Sequence, residues 1–272
     1  MPSTNYPEYE NPPLTEVACG VLFKPLTSLL TPHVGLLWEK FKQDYPNCQD
    51  VPPLIPSIEV FEKTSEETEL NLALSDIPPL PRIWFIDDKS NGVIQIQRDR
   101  FLYNWRKHRL EDEYPGYHKV FKLFQENLSI FKDFLQETNL EKLQPLQYEL
   151  SYVNHIFQGE GWNSLADVET VLPLFTRQNF PDNFPELEAI NWRTTFALPN
   201  RHGRLYVAIR TAIRSQDNRS LILLDLTARG IGNQRSLLSM QEWFDLAHKF
   251  ILQGFGSFAS TEIQNNIWRL KK

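Results

Sequence analysis

An α+β fold, with mostly antiparallel sheet and helices mainly on one face, is predicted by three features of this 272-residue chain. Residues 82–106 read as a hairpin: β-rich runs at 82–87 and 93–106 flank Asp88-Lys89-Ser90-Asn91-Gly92, and Asn-Gly is a strong short-range hairpin signal. Segments with apolar residues at helical spacing lie on either side of it. Beyond residue 188, three β-rich runs follow one another with no helical segment between them, as antiparallel neighbours do.

The elements follow in order. Val17, Cys19, Val21 and Phe23 alternate with Ala18, Gly20 and Leu22, so 14–24 reads as a buried first strand. Thr31-Pro32 sets an N-cap before a proline at the first helical position. Val34, Leu37, Trp38 and Phe41 then recur at i, i+3, i+4 and i+7, an amphipathic helix that stops before Tyr45-Pro46. Residues 46–81 are rich in proline and acidic groups, with 57–61 and 70–74 as short strands. In the hairpin, Phe101, Tyr103 and Trp105 share one side, and Arg98, Arg100 and Arg106 the other. The parity changes between Ile94, Ile96 and that aromatic set, which predicts a β-bulge near 98–100. After Tyr114-Pro115-Gly116, the residues Tyr117, Phe121, Phe124, Leu128, Phe131 and Leu135 step by four and three in alternation, the strongest helical pattern in the chain. It ends near Thr138-Asn139. Leu146, Tyr148, Leu150 and Tyr152 alternate in a strand reaching Phe157.

The order to this point is β-α-β-β-α-β, the ferredoxin-like order, which makes 1–157 a first α+β half. Residues 158–272 make a second. It holds a short helix at 164–175, a loop at 176–186, and strands at about 188–199, 203–214 and 220–229. The capping box Ser239-Met240-Gln241-Glu242 opens a helix to about 253, and a last short helix covers 261–270. The halves are expected to pack as one unit. Pro13-Leu14-Thr15-Glu16 and Pro145-Leu146-Gln147-Tyr148-Glu149 each open a strand followed by a helix, antiparallel strands and a longer helix. Two readings of that pattern stand open: coincidence of element order, or duplication, in which the second half is a pseudo-duplicate whose sheet joins the first.

Composition bounds the function. Hydrophobic content of 41% supports a sizeable core, and aromatics at 12% a well-packed one. A formal net charge of -6 argues against blanket nucleic-acid binding. With Cys19 and Cys48 alone there is no disulfide framework and no cysteine-rich metal site. The opening residues lack a signal peptide's basic-then-apolar build, and no apolar run nears the roughly 20 residues that span a bilayer. The expectation is a cytoplasmic protein without membrane association.

Asn11-Pro12-Pro13-Leu14-Thr15-Glu16-Val17 with Gly20-Val21-Leu22-Phe23 opens an ordered series of motifs. Ile94-Gln95-Ile96-Gln97, Asp99-Arg100-Phe101, Asn104-Trp105-Arg106 and Tyr114-Pro115-Gly116-Tyr117 continue it. Glu149-Leu150-Ser151-Tyr152-Val153-Asn154-His155-Ile156, Ala247-His248 and Phe255 complete it. The series resembles a sporadically distributed, uncharacterised prokaryotic protein family, over most of the chain and least at 46–80 and 158–187. The resemblance carries over no activity, cofactor or catalytic residue. A patchy distribution implies accessory or defence-associated biology, by analogy.

Chemistry-bearing patterns are sparse. The six histidines show no i, i+4 pair and no H-E-x-x-H spacing, so no metal or other cofactor is expected. Gly254-Phe255-Gly256-Ser257-Phe258 misses the nucleophile-elbow order and follows a helix. Gly230-Ile231-Gly232 lacks the third glycine of a dinucleotide loop and reads as a turn. Cys19 reads as a core residue, and Cys48 as a loop thiol with no partner that the sequence names. Asp225 stands in an otherwise apolar strand, as a catalytic acid or as the ion-pair partner of Arg210 or Arg214.

Arginines on strands form the one constellation with a physical role. Along 204–214, Leu205, Val207, Ile209 and Ile213 point one way, while Arg204, Tyr206, Arg210 and Arg214 point the other. Seven arginines between Asn200 and Ser236 face only Asp217 and Asp225. Arg98, Arg100 and Arg106 form a second basic cluster beside Asp99. Guanidinium groups take carboxylate and phosphate bidentately, and aromatic faces can stack bases. The plainer alternative pairs these arginines with the chain's own acidic groups. The expectation is a non-catalytic binding or adaptor protein that engages an acidic protein or nucleic acid through Arg98, Arg100, Arg106, Arg204, Tyr206, Arg210 and Arg214. Two alternatives stand beside it. One is a nucleic-acid-processing enzyme with Asp225, His155 or His202 as acid or base; the other is a structural subunit of a homo-oligomer.

Overall fold

The computed structural model describes residues 7–55, 58–59, 80–176, 181, 183–231 and 238–271. Strand β1 (Leu14–Phe23) is buried along nearly its whole length, as its unbroken apolar run requires. Helix α1 (Thr31–Phe41) buries Leu37 and Phe41. Its N-cap is Leu30 rather than Thr31: Leu30 N–H donates to His33 Nδ1 at 3.0 Å, so the imidazole at the third helical position reaches back to the cap as a capping-box glutamate does.

Strand β2 (Asn47–Val51) pairs with β3 (Arg82–Ile86) and places Cys48 on a strand, not in a loop. Strand β4 (Gly92–Gln97) returns from β3 through a turn in which the Asp87 carboxylate accepts from Asn91 N–H at 2.9 Å and Gly92 N–H at 2.8 Å. The Asn-Gly signal marked the right place. The expected bulge near 98–100 is instead a two-residue turn, Arg98-Asp99, and β5 (Arg100–Arg106) folds back on β4. That turn explains the parity change, since reversal re-phases the alternation. Of the short strands expected at 57–61 and 70–74, the second lies outside the described residues, as do residues 57, 60 and 61 of the first.

Helix α2 (Tyr117–Glu137) buries the expected stripe, and its Phe131 ring stacks on Phe101 of β5 at 5.4 Å. Strand β6 (Pro145–Phe157) follows. Among the described residues the first half therefore reads β-α-β-β-β-β-α-β, two strands more than the order expected from sequence.

Beyond it, the expected helix at 164–175 is two 3₁₀ turns, Leu165–Thr170 and Pro173–Phe175, broken before Pro173. Strands β7 (Asn191–Ala197), β8 (Arg204–Arg214) and β9 (Arg219–Ile231) form a meander. Gly230 lies within β9, not in a turn, and Gly232 lies outside the described residues. Helix α3 (Met240–Phe258) starts at the capping box and runs past the expected end, and α4 (Thr261–Asn266) is shorter than expected.

These strands form one antiparallel sheet in the order β2-β3-β4-β5-β1-β6-β9-β8-β7. The pairing of β6 with β9 carries it across the boundary between the halves. Helix α2 packs on β5 and β1, and α3 on β9, β6 and β8. That face holds Phe101, Tyr103, Trp105, Tyr148, Leu226 and Val207, all buried, so Trp105 and Tyr103 are core residues. Phe131→Ala here would cost about 3–5 kcal/mol. No helix among the described residues is long and apolar enough to cross a membrane.

Candidate functional site

Because side chains alternate along strands, the face away from the helices carries the polar positions the sequence singled out. Its first half is locked. Asn104 of β5 donates to the Glu16 carboxylate of β1, and Gln95 Nε2 of β4 donates to Asn104 Oδ1 at 2.8 Å. Gln95 Oε1 in turn accepts from Trp84 Nε1 and from Arg82 Nη1 of β3, each at 3.0 Å. Burial pushes the Glu16 carboxyl up, and the Asn104 hydrogen bond and the Arg106 charge oppose that shift. The network lines a partly open pocket of about 40 Å³.

The first basic cluster is part of this scaffold. Arg98, in the β4–β5 turn, donates from Nε to Leu29 O at 3.0 Å. Arg100 is buried and paired with Asp99 at 3.1 and 3.2 Å. Arg106 donates to Ser90 O at 2.8 Å, and its guanidinium lies 5.4 Å from the Trp84 ring centroid.

The second half is more open. Glu59 reaches the sheet from the segment after β2, and its side chain is 4% exposed; it accepts from Arg204 and, at 2.6 Å, from the Tyr206 hydroxyl. Its own N–H donates to Gln147 Oε1 at 2.8 Å. Hydrogen bonding to Glu59 raises the Arg204 value, and burial, then Glu59, pushes Tyr206 up to about 12. Arg229 of β9 donates to Glu149 of β6 at 2.6 Å. Arg214 pairs with Asp217 in its own hairpin, and Arg214 and Arg219 both lie over the Phe157 ring, at 4.3 and 4.4 Å.

Arg210 stands apart. Half its side chain is exposed, and its partner Asp225 is 3.7 Å away across the β8–β9 pair. Arg193, opposite Ala208 on β7, is exposed beside it. Asp225 Oδ1 is buried without a hydrogen-bond partner, and burial pushes the carboxyl up against the pull of Arg210 and Arg193. His155 faces the same side one step along β6, its value lowered by burial and by Arg214. His202 lies beyond the Arg204–Arg229 end of the sheet, where its carbonyl accepts from Trp243 Nε1, so the fold does not bring it to Asp225.

Sequence reasoning missed Glu59 and Arg193, which lie outside the runs that prompted the arginine pattern. It also missed a polar chain on the helix side. Tyr114 Oη lies 3.1 Å from Tyr152 Oη, which lies 2.9 Å from His248 Nδ1, while the Tyr117 ring stacks on His248 at 3.9 Å. Tyr117 Oη donates to Asp245 at 3.0 Å. Burial lowers His248 to about 4, and Tyr152 is pushed well up for the same reason.

Cys19 is buried and its thiol is pushed up; Cys48 is raised by partial burial and by Asp50, which lowers its reactivity. Among the described residues no group of three His, Cys, Asp or Glu side chains is arranged to hold a metal ion. Comparison with protein-family models, curated proteins and solved structures gives no match.

Proposed function

We propose that the protein is a non-catalytic binding or adaptor protein of the cytoplasm that engages an acidic protein or nucleic acid through the arginine-bearing sheet face. The accessory or defence-associated setting implied by the resemblance fits that role. The carrying observation is Arg210: a half-exposed guanidinium on a face that, among the described residues, carries no helix, flanked by exposed Arg193 and opposed there by one carboxylate. Arg204, Tyr206 and Arg214 frame it, each held by a carboxylate of the chain itself. Arg98, Arg100 and Arg106 brace the strands that support the surface. Charge reversal at Arg210 and Arg214 is expected to abolish capture of the partner from the native host while the fold is retained; undiminished capture would sink the surface.

One observation favours a second reading, a nucleic-acid-processing enzyme on the same surface. Asp225 combines an unpartnered buried oxygen with a raised carboxyl beside two arginines. Nuclease activity lost in Asp225→Asn would support it, and retained activity would remove Asp225.

The architecture invites a parallel proposal. We take β6-β1-β5-β4 with α1 and α2 as a ferredoxin-like unit extended by β2 and β3, and the two halves as pseudo-duplicates. In support, the sheet runs β3-β4-β5-β1 up to one side of the central pair and β7-β8-β9-β6 up to the other. A long helix follows β5 in one half and β9 in the other.

A further inference from the structure

We propose that β7 is a dimerisation edge: two copies of this chain join their sheets by pairing β7 antiparallel with β7 of the second copy, Thr194 opposite Thr194. This inference does not rest on the arginine face, with which β7 shares Arg193. Among the described residues, strand β7 ends the sheet and pairs only with β8. It is seven residues long and largely exposed, and an edge of that length presents a row of backbone donors and acceptors that a second strand can satisfy. The opposite edge is guarded. Strand β2 has five residues, carries Asp50, and ends at Pro52-Pro53, which cannot donate to a ladder. Strand β7 carries no proline, no lysine and no carboxylate, and its Phe196 is 47% exposed.

The occupant follows from self-complementarity. Centred on Thr194, the register sets Trp192 opposite Phe196 of the second copy, and the reverse, on the helix side. Both rings already pack on Phe258, at 5.6 and 6.4 Å, so each cross-strand pair extends an existing aromatic cluster. On the other side Arg193 meets Thr195, and Asn191 meets Ala197. Sliding the centre to Arg193 would oppose the two guanidiniums, and a one-residue slip would set Trp192 against polar Thr195. The flanks agree. Exposed Glu186 and Glu188 precede β7 and exposed Arg201 follows it, so an antiparallel pair brings the acidic flank of each copy toward the basic flank of the other. The contact is isologous and closes as a two-fold dimer, with both helix layers on one side.

The test is mass in solution, by light scattering across a wide concentration range, with two kinds of variant. The wild type is expected at twice the 31.9 kDa chain mass, and Phe196→Lys at the single-chain mass with its fold intact by circular dichroism. In a Cys48→Ser background, Thr194→Cys is expected to form an intermolecular disulfide on oxidation, because directly opposed Cα atoms lie about 4.5–5.5 Å apart. Thr195→Cys, whose counterpart lies diagonally at about 7–8 Å, is expected not to cross-link. Single-chain mass for the wild type at every concentration would overturn the proposal. So would doubled mass for a folded Phe196→Lys, or cross-linking at 195 in place of 194. If Phe196→Lys does not fold, the cysteine pair decides alone.

Discussion

Arg229 on β9 donates from Nε to the Glu149 carboxylate on β6 at 2.6 Å, with its guanidinium 5.4 Å from the Tyr206 ring centroid on β8. One side chain thus ties three neighbouring strands of the polar face, next to the Glu59 clamp on Arg204 and Tyr206. Both members of the pair keep some contact with water, which limits its worth. A double-mutant cycle on Glu149→Gln and Arg229→Met is expected to give a coupling of about 1 kcal/mol in urea unfolding. A coupling near zero would mean that the tie adds nothing to stability.

Glu59 is expected to matter more than a surface carboxylate. Glu59→Gln keeps the shape but removes the charge beside Arg204, and the loss of a charge-assisted hydrogen bond costs about 1–3 kcal/mol. The same substitution at exposed Glu188 is expected to change stability by less than about 0.5 kcal/mol. Equal effects at both sites would contradict the clamp.

His248 predicts a pH dependence of stability. Its folded value, about 4, lies below the ordinary 6.5, so the unfolded chain binds the proton first as pH falls. The contribution is complete above the ordinary value and is lost progressively between about pH 6.5 and 4, up to about 3 kcal/mol in all. His248→Phe keeps a ring against Tyr117, and its urea midpoint is expected to fall less between pH 7 and 5 than that of the wild type. Parallel pH profiles would show that His248 is not held neutral by burial.

Gly230 is predicted to be intolerant of any side chain. A Cβ there would lie 2.2 Å from both His202 O and Trp243 Nε1, atoms already bonded to each other at 2.9 Å. The Trp243 ring is fully buried and cannot swing aside. Gly230→Ala is expected to cost about 1–3 kcal/mol or more, measured as a fall in melting temperature. Gly35→Ala on α1, where a Cβ meets nothing within 4 Å, is expected to be neutral or stabilising.

Much of this fold is legible in the sequence because period and punctuation are local. The four-and-three stepping from Tyr117 to Leu135 gave α2, and Asn91-Gly92 gave the β3–β4 turn. The split of 93–106 into β4 and β5 was not legible. Arg98-Asp99 lacks the glycine that marks a two-residue hairpin, and the turn is held from outside, by Leu26 N–H on Arg98 O and Phe23 N–H on Asp99 O. The site was legible as a pattern of arginines and not as a set of pairs. Glu59 meets Arg204 from 145 positions earlier, and no local period announces such a partner. For Asp225 a partner was legible as Arg210 or Arg214, because one charge in an apolar strand needs another on the strand beside it; Arg210 takes that place, and Arg214 pairs with Asp217.

The central claim is that Arg210 and Arg193 present an acid-binding surface. Its most direct measurement is side-by-side capture from the native host with wild-type protein and a folded Arg193→Glu/Arg210→Glu variant, scoring bound protein and nucleic acid together. A salt-labile acidic partner is expected on the wild type and none on the variant. The same partner retained equally by both would contradict it.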